Sequence, residues 1–367
     1  MSHDQRELRG ADHFGTDFTE GRFTRSGQRR MRRRRARLMV LVAVAAVLIV
    51  VAISYGYYRS QVGGGTSRTL VTVEASPGEG LGQFAGTLAS RGVIGSSLIF
   101  RIWLRSQPTV ILQAGTYKFN LDAPYSKILA IVSKGPILDK LVIPDGLTLA
   151  QIADRVGKLP GHSAAHFLQL ATSGKVRSPF EPSSVNTLEG LLYPDTYSFD
   201  PSTPDSQILT MMVDAFVTQA HKLGLTPQTT EDNLSAYQIV TLASLIEKEA
   251  VYPGDGNKVA RVILNRLSQN MKLQLDSTVV YALGNTTTRL SLADLKVQSP
   301  YNTYLNSGLP PTPISIPSES ALKAALAPAK GNWLYYVVVQ KNGQEAFSST
   351  YAEQLANEQL AQSRGVG

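Results

Sequence analysis

The sequence predicts an α+β protein hung from a single transmembrane helix, with a small βααβ lobe after the helix and a larger mixed α+β lobe after that. Three observations predict it. Leu38 to Tyr58 runs for 21 positions without a charge, enough at ~1.5 Å per residue to cross ~30 Å of hydrocarbon. Beyond it, alternating segments such as LVTVEAS (70–76) are interleaved with helical periods such as NKVARVILNRL (257–267). Finally, the chain is 43% hydrophobic and 17% charged over 367 residues, which suits about two domains at ~100–200 residues each.

The formal charge of +8 is concentrated at one end. Residues 1–37 carry eleven Arg, no Lys and five acids, whereas the other 330 residues carry 25 bases and 23 acids. A nearly neutral body gives no support to a basic face for nucleic acid. The Arg run QRRMRRRRAR (28–37) abuts the apolar span, and by the positive-inside rule it places the N-terminus in the cytoplasm and everything after Arg59 outside. A cleaved signal peptide has a shorter apolar region, ~7–15 residues, and a small-residue cleavage site; here RSQVGGG follows a Tyr-rich end. Tyr57 and Tyr58 suit an interfacial belt. Residues 1–27 lack apolar periodicity and are expected to be disordered. The chain has no Cys, which excludes disulfides, thiolate metal sites and Cys nucleophiles. No His follows His221, so the last 146 residues hold neither a Ser-His-Asp triad nor a His-bound metal.

The expected organisation is a basic tail (1–37), the span (38–58), a linker (59–68) containing GGGTS, a small lobe (69–137), a connecting β/α region (138–232) and a final lobe (233–367). In the small lobe LVTVEAS is a strand, LGQFAGTLASRG (81–92) a helix ending at Gly92, Ser97–Ser106 a second helix and AGTYKFN (114–120) a strand. The opening recurs in LVIPDG (141–146) followed by TLAQIADRVGK with a Thr cap, a weak internal repeat of strand, Pro-Gly turn and helix. His162 and His166 are four apart, a spacing a metal could use. With no acid or third His close in sequence, a surface helix is the expectation.

SAYQ (235–238) has the capping-box form and opens a helix to about Ala250. At 100° per residue its apolar stripe is Leu242, Ile246, Ile239, Ala250 and Ala243, with Thr241, Ser244 and Lys248 opposite. Glu247 and Glu249 fall on the two borders, ~160° apart. Glu249 lies between Leu242 and Leu245, and Glu247 between Ala243 and Val240. A carboxyl among bulky apolar groups has its pKa raised, as proton donation near neutrality requires. The wheel leans only slightly to Glu249, and two surface acids bracketing Lys248 explain the pattern as well.

NKVARVILNRL is amphipathic, with Val259, Ile263 and Leu267 on one face. LQLDSTVVYAL (273–283) puts Asp276 at a helix start, as a cap or a site acid. SPYNTYLNSGLPPTPISIP (299–317) is a long loop whose Tyr301 and Tyr304 flank Asn302, a surface type that stacks on sugars. WLYYVVVQ (333–340) is expected as a buried strand and LANEQLAQSR as a closing helix.

These segments resemble the membrane-bound endolytic murein transglycosylase family (YceG-like). The matching blocks are AGTYKF, LVIPDGLTLAQIA, LEGLLYPDTYSF (188–199), LASLIEKEA (242–250), VARVILNRL, LQLDSTVVYALG, SPYNTY, GLPPTPISIP and LAPAKGNWLYYVV (326–338), in order across about residues 70–355. The resemblance implies a LysM-like small lobe and a catalytic lobe over 233–367. Its reaction cleaves peptidoglycan glycan strands internally and leaves 1,6-anhydro-muramic acid ends, without water as nucleophile and without a cofactor or metal. The expected partners are the glycan strands and the membrane synthases or division machinery, with no nucleic acid. The family's acid lies in the EKE segment, which carries over to Glu249, with Glu247 as the alternative. Gln274, Asp276, Tyr301, Asn302 and Tyr304 are the expected sugar contacts, and Glu189 is either structural or part of the cleft wall.

Three departures stand out. Ala250 replaces a Thr or Ser after EKE, Asp276-Ser277-Thr278 replaces Asp-Pro-Thr, and Glu345 and Gln354 stand where many members carry His. A non-catalytic glycan-binding scaffold, or a muramidase pairing Glu249 with Asp276, would use the same residues differently.

Overall fold

The computed structural model of the protein describes residues 25–250, 252, 254–284 and 289–366. It divides into two compact units, one with the residues up to Val71, Gly80–Val110 and Phe119–Ile131, the other with Thr72–Glu79, Ile111–Lys118 and the chain from Val132 on.

The first unit begins with α1 (Arg25–Gly63), in which Arg32–Gly63 is long and apolar enough to cross a membrane. Most of the tail expected to be disordered lies outside the described residues, but residues 25–27 are helical. The expected linker is shortened too, because nothing in RSQVG interrupts the helix before Gly64 turns left-handed at φ +59°. β1 (Leu70–Ala75) pairs with β2 (Gly115–Asn120), and α2 (Leu81–Ser90) and α3 (Ser97–Leu104) lie between them in sequence. The βααβ order is therefore as expected. An additional helix, α4 (Tyr125–Ser133), follows, which the sequence reading does not include. Phe100 stands edge-on to Tyr125 at 4.9 Å and stacks with Trp103 at 5.9 Å, and Phe84 meets Phe119 at 6.3 Å. These rings are the core of the unit.

The second unit takes Thr72–Ala75 of β1 and Gly115–Lys118 of β2, and in it β3 (Asp139–Ile143) leads through a turn to α5 (Leu149–Val156) and then α6 (Ala164–Thr172). Thr148 starts α5 with a reciprocal capping box to Gln151. β4 (Asp195–Phe199) returns antiparallel to β3, from Asp139 opposite Phe199 to Ile143 opposite Asp195. α7 (Asp205–Lys222) follows. Its first residue, Asp205, bridges His162 and His166, accepting from each Nδ1 at 2.6 Å. The surface-helix expectation holds for His166, on α6 with its side chain 58% exposed, and is corrected for His162, which precedes α6 and has its side chain 3% exposed. The acid that joins them lies about forty residues further along, beyond the reach of a local spacing argument.

The hairpin of β5 (Thr230–Glu231) and β6 (Leu234–Ser235) leads into α8 (Ala236–Glu249), capped by Ser235 and Gln238 as the sequence predicts. The remaining elements are α9 (Gly256–Ser268), α10 (Asp276–Ala282), α11 (Glu319–Leu326), β7 (Tyr335–Val338), its antiparallel partner β8 (Glu345–Ser348) and α12 (Tyr351–Ser363). β7 is shorter than expected and half-buried rather than buried.

α8 is the central helix, packed by α9 and α11. Its polar side is enclosed as well, since Thr241 and Ser244 are 1% and 0% exposed. Their hydroxyls donate to carbonyls one turn back, on Tyr237 and Thr241. Ser244 Oγ also accepts the Ile314 N–H, so the long loop closes over the face that the wheel leaves open. α9 is amphipathic as expected, but its polar face holds main chain instead of water. Asn257, Arg261, Asn265 and Arg266 donate to the carbonyls of Ala327, Ala329, Trp333 and Leu334 at 2.6–2.9 Å. This comb carries the strand that follows, β7, to its place.

Candidate active site

Glu249 is the last residue of α8, half-buried, with its carboxylate held from two sides. Oε1 accepts the Ser277 hydroxyl at 2.5 Å and Oε2 accepts the Tyr336 hydroxyl at 2.7 Å. Burial pushes its pKa above the ordinary carboxylate value; the two hydroxyls oppose that rise without cancelling it, and the nearby Asp276 charge adds to it. The donors are neutral, so nothing bonded to Glu249 locks it in the ionised state. An acid so placed keeps its proton to a higher pH than an ordinary carboxyl, and can release it and take one back.

Glu247 is engaged differently. Its Oε2 accepts the Ser318 N–H at 2.9 Å, at the N-cap of α11, a position where a carboxylate favours the helix. Burial raises this pKa also, opposed by the Ser318 bonds. Glu247 faces a cavity of about 600 Å³ with Asp145, Tyr252 and Ser320.

The expected sugar contacts divide. Tyr304 is half-buried and donates to Asp276 Oδ1 at 2.6 Å. Asp276 itself is exposed and makes no capping bond at the start of α10. Gln274 is exposed, and its backbone is left-handed at φ +52°. Tyr301 packs on Tyr281 with ring centroids 4.8 Å apart and shares a 3.0 Å bond with the Thr312 hydroxyl. Asn302 is fully buried; its amide donates to the carbonyls of Leu295 and Val297, and its Oδ1 accepts the Tyr304 N–H. That side chain is committed to holding the loop, so its expected sugar-facing position is corrected to a supporting one.

Glu189 is buried, accepting the Leu149 N–H at 3.0 Å and the Tyr281 hydroxyl at 3.0 Å. Burial pushes its pKa up to about 7 against those bonds. It borders a cavity of about 530 Å³ with Gln151, Asp154 and Tyr281. The following Gly190 has φ +76°, and Pro313 leaves no space for a Cβ there. Since Ser277 and Tyr281 are one turn apart on α10, Glu249 and Glu189 grip the same helix.

Ser277, Tyr281 and Tyr336 escape the sequence reading as site residues. Only Ser277 carries a signal, as a departure from the family pattern, and the structure gives it a meaning: it brings Glu249 a hydroxyl that Ala250 lacks. Gln354, another departure, donates to the Tyr336 carbonyl at 3.3 Å and so braces β7. The Glu345 N–H donates to Asp255. A cavity of about 900 Å³ lies at the other end of α8 around Tyr237, Gln238 and Arg261. At ~1.5 Å per residue, Gln238 is ~16 Å along the helix from Glu249, so the acid and this cavity are separate features.

Residues 73–360 match the profile of the YceG-like family. The chain is 31% identical over 303 residues to the endolytic murein transglycosylase of Bacillus subtilis, covering 78% of this chain and 83% of that protein. It is 31% identical over 328 residues to the endolytic murein transglycosylase of Streptococcus pneumoniae R6, covering 79% of this chain but only 59% of that longer protein. The crystal structure of a YceG-like protein from Listeria monocytogenes superposes with a TM-score of 0.54 at 34% identity, over 79% of this chain and 99% of that one.

Proposed function

The chain belongs to the YceG-like family, and we propose that Glu249 is the single acid with which it cuts peptidoglycan. The enzyme is a lytic transglycosylase, a lyase acting within glycan strands. Glu249, protonated, donates to the glycosidic oxygen between MurNAc and GlcNAc as the bond to the anomeric carbon breaks. As a carboxylate it then takes the proton from the muramoyl C6 hydroxyl, which attacks that carbon. A 1,6-anhydro end forms, no water is consumed, and Glu249 regains its proton. One carboxyl in two successive roles is sufficient, whereas hydrolases generally need a pair.

The observation that carries this reading is the Glu249 carboxyl itself, raised by burial and aimed by two neutral hydroxyls. Glu247 is the weaker candidate because it caps α11. Gln274, Asp276, Tyr301 and Tyr304 are the proposed sugar contacts, with Glu189 behind them as part of the cleft wall. The catalytic lobe is 233–367, and the small lobe at 69–137 is a LysM-like glycan holder. α1 is a single-pass anchor with its Arg-rich end in the cytoplasm, which leaves the catalytic lobe outside, beside the synthases that make the strands.

The test is product mass. The detergent-solubilised protein should release anhydro-terminated fragments one water lighter than hydrolytic ones. Reducing-end products would mean a muramidase, and retained glycan binding without products would mean a scaffold. Glu249→Gln should abolish release while Glu247→Gln leaves it; the reverse pattern would move the acid to Glu247.

A further inference from the structure

α3 is apolar over most of its circumference, with only Ser97 and Arg101 polar. Of SLIFRIWL, Phe100 and Trp103 are buried in the core of the first unit, while Leu98 and Ile102, one turn apart, are 66% and 50% exposed. A helix that carries large apolar side chains on both its buried and its exposed side belongs between two apolar neighbours, and the first unit supplies one.

The position of α3 identifies the other. Within the first unit α3 contacts α1, and the last turns of α1 are fastened to the same region. The Gln61 side chain lies against Gly95, just before the Ser96 cap of α3, and leaves no room for a Cβ. Two residues beyond the end of α1, Gly65 donates its N–H to Asp122 at 2.5 Å. Tyr57 and Tyr58 lie close enough to act electrostatically on the Tyr125 hydroxyl, and Tyr125 packs edge-on against Phe100 and Trp103 of α3. These two tyrosines close the apolar span, so the elements they meet lie at the membrane boundary. The polar residues of α3 suit that level: Arg101 and the following Arg105 are exposed and one turn apart, as cations facing anionic headgroups are.

We propose that α3 is a membrane-surface element, with Leu98 and Ile102 inserted at the headgroup–acyl boundary of the bilayer that α1 crosses and with Arg101 and Arg105 on its phosphates. The proposal rests on α1 being a transmembrane anchor. It gives the first unit two attachments to the bilayer, the covalent one through α1 and a lateral one through α3, so that the unit lies against the membrane instead of swinging on its tether.

The absence of Cys makes the test direct. Single Leu98→Cys, Ile102→Cys, Val47→Cys and Lys341→Cys variants of the full chain are labelled with a small fluorophore and placed in nanodiscs of phosphatidylethanolamine and phosphatidylglycerol. Lys341, in the exposed turn between β7 and β8, is the aqueous reference. Labels at 98 and 102 should be quenched at least about threefold more than the reference by a nitroxide carried near the lipid headgroup, and about threefold less by iodide. If they match the reference while the label at 47 is quenched by deep lipid nitroxides, α3 faces water and the proposal fails with the anchor intact. If the label at 47 is not lipid-quenched, the anchor reading fails and the proposal falls with it. Protection at 98 and 102 from both quenchers would mean a cover of protein or glycan, which also overturns it.

Discussion

Tyr336 donates its hydroxyl to Oε2 of Glu249 at 2.7 Å, joining residues 87 positions apart. The Tyr336 side chain is half-buried, and its desolvation together with the facing Glu249 charge drives its pKa well above the ordinary tyrosine value. It therefore keeps its proton at any working pH and acts on Glu249 as a neutral donor.

Tyr336→Phe removes that donor and leaves the ring. A hydrogen bond to a charged group contributes about 1.5–3 kcal/mol, and losing one disfavours the carboxylate. Turnover should fall on the order of tenfold, and the alkaline limb of the pH–rate profile should move up by about one unit. Anhydro-product release measured across pH checks this. A profile that keeps its position would show that Tyr336 only fills space. Ser277→Ala should move the limb the same way, and Ser277→Thr should restore it.

The wild-type activity itself has a required sign. The first step needs Glu249 protonated, and its pKa is raised, so turnover should be lost as pH rises through that raised value. Initial rates in a series of constant-ionic-strength buffers give the limb directly. A rate that climbs with pH through the neutral range would contradict a Glu249 proton donor.

Glu189 makes the corresponding prediction for stability. Its folded pKa is pushed up to about 7 from the ordinary 4.5. The group therefore contributes its full stability below pH 4.5, loses it as pH rises towards 7, and is constant above that. Gln does not titrate. The stability of Glu189→Gln relative to wild type should thus improve between pH 4 and pH 8 by roughly 3 kcal/mol. Denaturant melts of both proteins at the two pH values measure it; parallel shifts would show that Glu189 does not titrate in this range.

Arg266 tests the comb on α9. It donates to Leu334 at 2.6 Å and to Leu273 at 2.6 Å, so Arg266→Ala leaves two carbonyls without their donor and should cost on the order of 3 kcal/mol. Arg266→Lys should recover little of it, because an ammonium cannot reproduce the fork. Leu334 precedes β7, so activity should fall with stability as Tyr336 loses its register. Melting temperature and turnover measured on both variants check the link.

What the sequence by itself determined is what nearby residues decide. The long apolar helix follows from an uninterrupted apolar run. The starts of α5 and α8 follow from Thr148 with Gln151 and Ser235 with Gln238, reciprocal caps closed within four residues. The acid pair of α8 is equally legible, as two borders of one stripe. The tertiary structure gave the two borders different surroundings. It set Ser277 and Tyr336, 28 and 87 residues from Glu249, on one carboxylate, and gave Glu247 to the N-terminus of α11. It also turned the polar faces of α8 and α9 inward, against the 312–316 loop and the strand before β7, where a helical wheel has them facing water. The reason is physical: a cap or a period is a property of one turn of chain, whereas a proton-holding site is a meeting of side chains whose spacing is set by packing and leaves no period to read.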